Sequence, residues 1–144
     1  LTEVNMHNTG FEEFKKSCKV AEREVIGLDF DGVIYKNSKG FFDGTIYDEP
    51  IKGALDSIKH LNKIGYTLVI YTCKANPSRP LVNNKTGIEL VWEWLKLNNV
   101  SQYIAEVTYI KPNALCYVDD KGIQFNNWQQ TINQIEKLDD TRIH

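Results

Sequence analysis

Long apolar runs are missing from this chain. No stretch approaches the roughly 20 apolar residues that a helix needs to cross a bilayer. Residues 1–24 are polar and lack the apolar centre of a secretory signal. Cysteine is scarce: Cys18, Cys73 and Cys116 are odd in number, far apart, and form no Cys-x-x-Cys pair. That pattern argues against a disulfide framework or a zinc site, and for reduced thiols in a cytoplasmic protein. Neither sign of charge dominates. The 17 Lys and Arg against 19 Asp and Glu leave a net charge of -2, which gives no electrostatic reason for general nucleic-acid binding. Internal repeats and low-complexity tracts are absent too.

What is present suits one domain with a real core: 144 residues, 42% hydrophobic and 25% charged. Residues 1–24 form a leader with a possible docking helix carrying Phe11, Phe14 and Cys18 on one face. Val25-Ile26-Gly27-Leu28 then reads as a buried strand that ends on Asp29-Phe30-Asp31 and turns at Gly32. Gly27 suits a close backbone approach, and Gly32 a sharp exit. Residues 35–49, with Phe41, Phe42, Tyr47 and two glycines, suggest a small hairpin-like flap.

Pro50 opens the next helix, with Ile51, Ala54, Leu55 and Ile58 at helical spacing and Gly65 as its stop. Tyr66 to Tyr71 is a strand, ending at Thr72, and a polar loop from Cys73 to Lys85 follows. Ile88, Val91, Trp92 and Leu95 mark a helix from Gly87 to Asn98. Ile104 to Val107 and Ala114 to Val118 are strands, the second ending on Asp119-Asp120. Trp128, Ile132 and Ile135 mark a last helix, and the spacing of Trp92 and Trp128 assigns both to the core. A main domain over 25–138 and a tail over 139–144 result.

Strands alternating with helices predict an α/β fold: a three-layer, Rossmann-like parallel sheet with helices on both faces. Ligands of such sheets bind beyond the carboxyl ends of the strands. Asp29, Thr72 and Asp119 each stand just past a predicted strand end, so the fold would bring them to one rim. Crowded carboxylates there repel each other and invite a cation. Singly, every one of these residues has an ordinary reading, as turn former, turn cap or solvated charge. A calcium loop of the EF-hand type fits poorly, because the glycine comes fourth rather than sixth and Gly40 stands where the twelfth-position Glu belongs.

Asp29-x-Asp31, then Thr72, then Lys111, then Asp119-Asp120 resembles, in order, the four motifs of the haloacid dehalogenase (HAD) superfamily of phosphotransferases. The resemblance covers about Val25 to Leu138. A two-component receiver domain uses similar residues, but with its lysine after the acidic groups. The resemblance implies Asp29 as a nucleophile that forms an aspartyl-phosphate, and Asp31 as general acid and base. It implies Thr72 as donor to a phosphoryl oxygen and Lys111 as its charge balance. Mg²⁺ is the implied cofactor, with Asp29, the Asp31 carbonyl, Asp119 and possible help from Asp120 as ligands.

Neither usual insertion point has room for a cap domain, so a capless member is expected. Its site would be walled by the flap and the 73–85 loop, with Gly32, Phe42, Lys74 and Arg79 as candidate substrate contacts. The expected activity is a Mg²⁺-dependent phosphomonoester hydrolase. Its substrate is a phosphorylated small molecule or a nucleic-acid end, with polynucleotide or nucleotide and sugar phosphates both open; no membrane is involved, and a neighbouring subunit is a candidate lid. A non-catalytic, phosphate-responsive binding domain on the same fold is the alternative.

Overall fold

Branched apolar residues favour a buried, extended backbone, and the first such run becomes β1, Val25–Asp29. The computed structural model describes residues 24–143, with side chains to residue 139. The expected docking helix with Phe11, Phe14 and Cys18 lies outside the described residues. Three further strands follow: β2, Thr67–Tyr71; β3, Ile104–Thr108; and β4, Cys116–Val118. They form one four-stranded sheet in the order β3-β2-β1-β4, with every pairing parallel. Among the described residues three α-helices accompany the sheet: α1, Ala54–Lys63; α2, Gly87–Leu97; and α3, Trp128–Ile143. The architecture is consistent with a Rossmann-like arrangement. No helix among the described residues is long and apolar enough to cross a membrane.

The connections β1-α1-β2 and β2-α2-β3 step the same way across the sheet, so right-handed crossovers put both helices on one face. The core confirms it. Ile58 of α1 and Val91 and Leu95 of α2 are buried in one cluster with Ile26, Leu28, Leu68 and Ile70. Phe30, just past β1, is fully buried there, stacked on Tyr35 at 5.0 Å with Trp94 edge-on at 5.2 Å. That anchor holds the chain between Asp29 and Asp31.

Several expectations need correction. The helix expected to open at Pro50 begins at Ala54, after a left-handed Gly53. Its stop at Gly65 is as expected, with φ 107°. Gly27 makes room for side chains, not backbone: a Cβ there would meet the Tyr117 ring at 2.8 Å and the Tyr71 ring at 3.3 Å. Helices on both faces are not seen among the described residues. No described side chain of α3 is buried, and Trp128, expected in the core, is 68% exposed. Helical spacing shows which face of a helix is apolar, not whether anything covers it. The expected tail from residue 139 continues α3 to Ile143.

The flap over 35–49 closes through backbone bonds from Lys36 to Glu49 and from Ile51 to Ile34. Its interior is turns, tied down where the Tyr35 hydroxyl accepts from the backbone of Tyr47 and Asp48. The 73–85 loop is also built. The Thr72 hydroxyl caps a short 3-10 turn over Cys73–Ala75, and Val82 and Lys85 bracket a two-residue turn. Asn83 and Asn84 are both left-handed there, as such a turn requires. Thr86 and Glu89 then cap α2 reciprocally.

Gly87, the first residue of α2, lies against the Lys74 carbonyl so closely that a Cβ would overlap it. Gly87→Ala is therefore expected to push α2 from the loop and cost about 1–3 kcal/mol, the usual cost of overpacking. Thermal denaturation checks this. An unchanged melting temperature would mean the two segments are not held in this contact.

Candidate functional site

Sheet register builds the site. Leu28 pairs with Val118, so Asp29 and Asp119 come one residue later on neighbouring strands. Asp29 also pairs with Tyr71 at the end of β2. Strand order reverses at the boundary between β1 and β4, because the chain steps outward to β3 and returns to β4. At such a switch point the loops part in opposite directions and leave a crevice. Asp29, Asp119 and Asp120 meet in it, each offering a carboxylate oxygen within 4.8 Å of the others. Gly32 adjoins the group: its φ is 81°, and a Cβ would overlap the Asp120 carboxylate.

The electrostatics follow from this crowding. Asp29 is pushed up to about 6 from an ordinary 3.8, first by burial and then by Asp119, Asp31 and Asp120. The Phe30 N–H, donating to Asp29 Oδ1 at 2.8 Å, opposes the rise. Asp119 Oδ1 accepts from the Lys121 backbone at 2.7 Å, and the Lys121 ammonium lies 3.3 Å from Asp120. Tyr71 donates a long bond, 3.4 Å, to Asp119 Oδ2. Burial, then Asp119 and Asp29, push that phenol up to about 12, so it stays a donor. Three carboxylates held this close are a group that could hold a metal ion.

Asp31 faces elsewhere, although it is two residues from Asp29. The Thr72 hydroxyl, almost fully buried, donates to Asp31 Oδ2 at 3.4 Å. Lys74 Nζ lies 2.9 Å from Asp31 Oδ1, an ion pair without the alignment of a hydrogen bond. Lys74 is also poised 5.6 Å over the Tyr35 ring. The strand has ended at Asp29, so the Phe30 anchor and the turn at Gly32 aim the two carboxylates apart.

The other expected residues divide. Arg79 reaches the Phe41 ring at 5.6 Å, in a cavity next to Lys74. Phe42 does not join it; it packs edge-on against Tyr47 at 5.6 Å, under the Lys39 ammonium. Lys111 is not paired with Asp29 or Asp31 but rests over the Tyr117 ring at 4.0 Å. The structure adds Tyr71 and Tyr117, which motif reading missed; Phe41, one of the expected flap aromatics, takes the place expected of Phe42. Alternation along β2 was the available signal for Tyr71, since it puts that residue on the face of Asp29. Comparison with protein-family models, with curated proteins and with solved structures returns no match.

A carboxylate whose pKa is higher folded than unfolded binds its proton more tightly in the native state. Stability from Asp29 is then fully present below 3.8 and lost as pH rises through about 6. Asp43, Asp48 and Glu89 are shifted down, so their effect falls at lower pH. In EDTA the melting temperature is expected to fall between pH 4 and 7 through this group. Asp29→Asn should flatten that slope, read by differential scanning calorimetry. An identical slope in the variant would contradict the assignment.

Proposed function

We propose that this chain is a Mg²⁺-dependent phosphomonoester hydrolase of the haloacid dehalogenase kind, without a cap domain. The observation that carries the reading is the meeting of Asp29 with Asp119 and Asp120 at the switch point. Asp29, Asp119 and Asp120 would hold the metal, joined by the Asp31 backbone carbonyl as the resemblance implies. Bound there, Mg²⁺ supplies the positive charge that lets a carboxylate approach a phosphate dianion.

Asp29 attacks phosphorus, and the bond from phosphorus to the leaving oxygen breaks. Asp31 gives its proton to that oxygen and later removes one from the water that hydrolyses the aspartyl-phosphate. The separate aim of the two carboxylates suits this division of labour. Thr72, whose hydroxyl donates to Asp31 in this structure, would turn that one proton to a phosphoryl oxygen when substrate is bound. Two lysines are available for the phosphoryl charge: Lys111, on Tyr117, and Lys74, beside Asp31. Placement in the reducing cytoplasm belongs to the same reading, supported by the unpaired thiols of Cys73 and Cys116.

The test is steady-state hydrolysis of p-nitrophenyl phosphate and of an alkyl phosphate, with Mg²⁺ and with EDTA. Asp29→Asn should lower kcat at least about a thousandfold with the fold intact by circular dichroism. Asp31→Asn should cost about 10²–10⁴-fold on the alkyl ester and much less on p-nitrophenyl phosphate, whose leaving group needs no proton. Metal-independent turnover, or an active and folded Asp29→Asn protein, would overturn the proposal.

A further inference from the structure

Flap and loop meet beside Lys74 and enclose a cavity of about 230 Å³. The flap contributes Phe41 and Ile46, the loop Arg79 and Val82, and α2 Leu90. The walls are built rather than incidental. Phe42 is held left-handed, at φ 53°, which turns it onto Tyr47 and leaves its neighbour Phe41 facing Arg79. A Cβ on Gly44 would meet Val82 Cγ2 at 2.9 Å and the Phe41 ring at 3.3 Å, so flap and loop touch directly. The Lys85–Glu93 ion pair ties the far side of the loop to α2.

Lys74 lines this cavity, and its ammonium is the group 2.9 Å from Asp31. Lys74 thus links the cavity to Asp31, the carboxylate that would protonate the leaving oxygen, across the length of one side chain. The cavity lining is mostly aliphatic and aromatic, with the Arg79 guanidinium 5.6 Å from the Phe41 ring centre. Asp43 also lines it, but Asp43 Oδ1 is occupied by the hydroxyl and backbone N–H of Thr45. A sugar inside the cavity would leave its hydroxyls facing apolar walls, so a nucleotide would place only its base there and keep its ribose outside, at Lys74. The volume lies below the roughly 300–1,000 Å³ of sites that enclose a whole drug-sized ligand, so it takes one ring system.

We infer that this cavity is the leaving-group subsite and that it selects small phosphomonoesters bearing a flat aromatic ring, nucleoside monophosphates being the fitting class. The inference rests on the hydrolase reading, since that reading places the leaving oxygen at Asp31. The ring stacks on the wall of Phe41 and Arg79 and is flanked by Ile46, Val82 and Leu90. Lys74, shared with Asp31, marks the passage from this subsite to the phosphoryl group.

The experiment compares adenosine 5′-monophosphate with glycerol 2-phosphate in the parent, in Phe41→Ala, and in Val82→Phe, which fills the cavity. Phe41 is 57% exposed, so its truncation should not unfold the chain. The ratio of kcat/KM for the two substrates should exceed about ten in the parent and fall roughly tenfold in each variant, a stacking contribution of about 1.4 kcal/mol. Calorimetric binding of the same nucleotide to the Asp29→Asn protein, with and without Phe41→Ala, is the second arm. Equal kcat/KM for both substrates in all three proteins overturns the subsite and leaves the hydrolase standing. Nucleotide binding that Phe41→Ala weakens, with no phosphomonoester hydrolysed by the parent, leaves a ring-binding cavity but overturns the hydrolase and with it the leaving-group role. No nucleotide binding overturns the subsite whatever the activity.

Discussion

Crowding of carboxylates at a partly buried strand end is the constraint on which the site depends. Parallel register puts Asp29 beside Asp119, and the next residue adds Asp120, so three negative groups share one crevice. Such crowding is eased by protonating one member or by a nearby cation, and the Lys121 ammonium already lies 3.3 Å from Asp120. The rest of the structure keeps the crowding in place. Phe30 is locked between Tyr35 and Trp94, Gly27 admits the Tyr117 ring, and Gly32 leaves space for Asp120. Each is a packing constraint whose visible result is the position of a charge.

Much of this was legible in the sequence, for a physical reason. β1 and β2 are short apolar runs with polar residues at their ends, and strand ends in a parallel sheet share one rim. The order Asp29, Thr72, Asp119 therefore already implied a meeting point. Gly65 likewise marked a helix end, because its chemistry is local. Trp128 was misread because burial is a tertiary fact, and the spacing of α3 does not reveal its partner.

Side-chain direction beyond the strand ends was the least legible part. Asp29 and Asp31 are two apart and would share a face on a continued strand, yet they serve different groups of residues. Lys111 comes at the point in the chain where a phosphate-binding lysine is expected, but its ammonium rests on Tyr117 while Lys74 pairs with Asp31. Adjacent Phe41 and Phe42 part because Phe42 is left-handed, and no rule for aromatic residues anticipates that. These choices depend on turns, and each turn depends on contacts from another segment.

Binding of Mg²⁺ by titration calorimetry in two buffers of different ionisation enthalpy tests most directly whether this crowding exists to hold a cation. One ion is expected to bind, displacing about half a proton at pH 6, where Asp29 is about half protonated. The displaced proton should vanish in Asp29→Asn, with much weaker binding. Absence of binding in the parent, or binding with no proton released and unaffected by Asp29→Asn, would contradict the account.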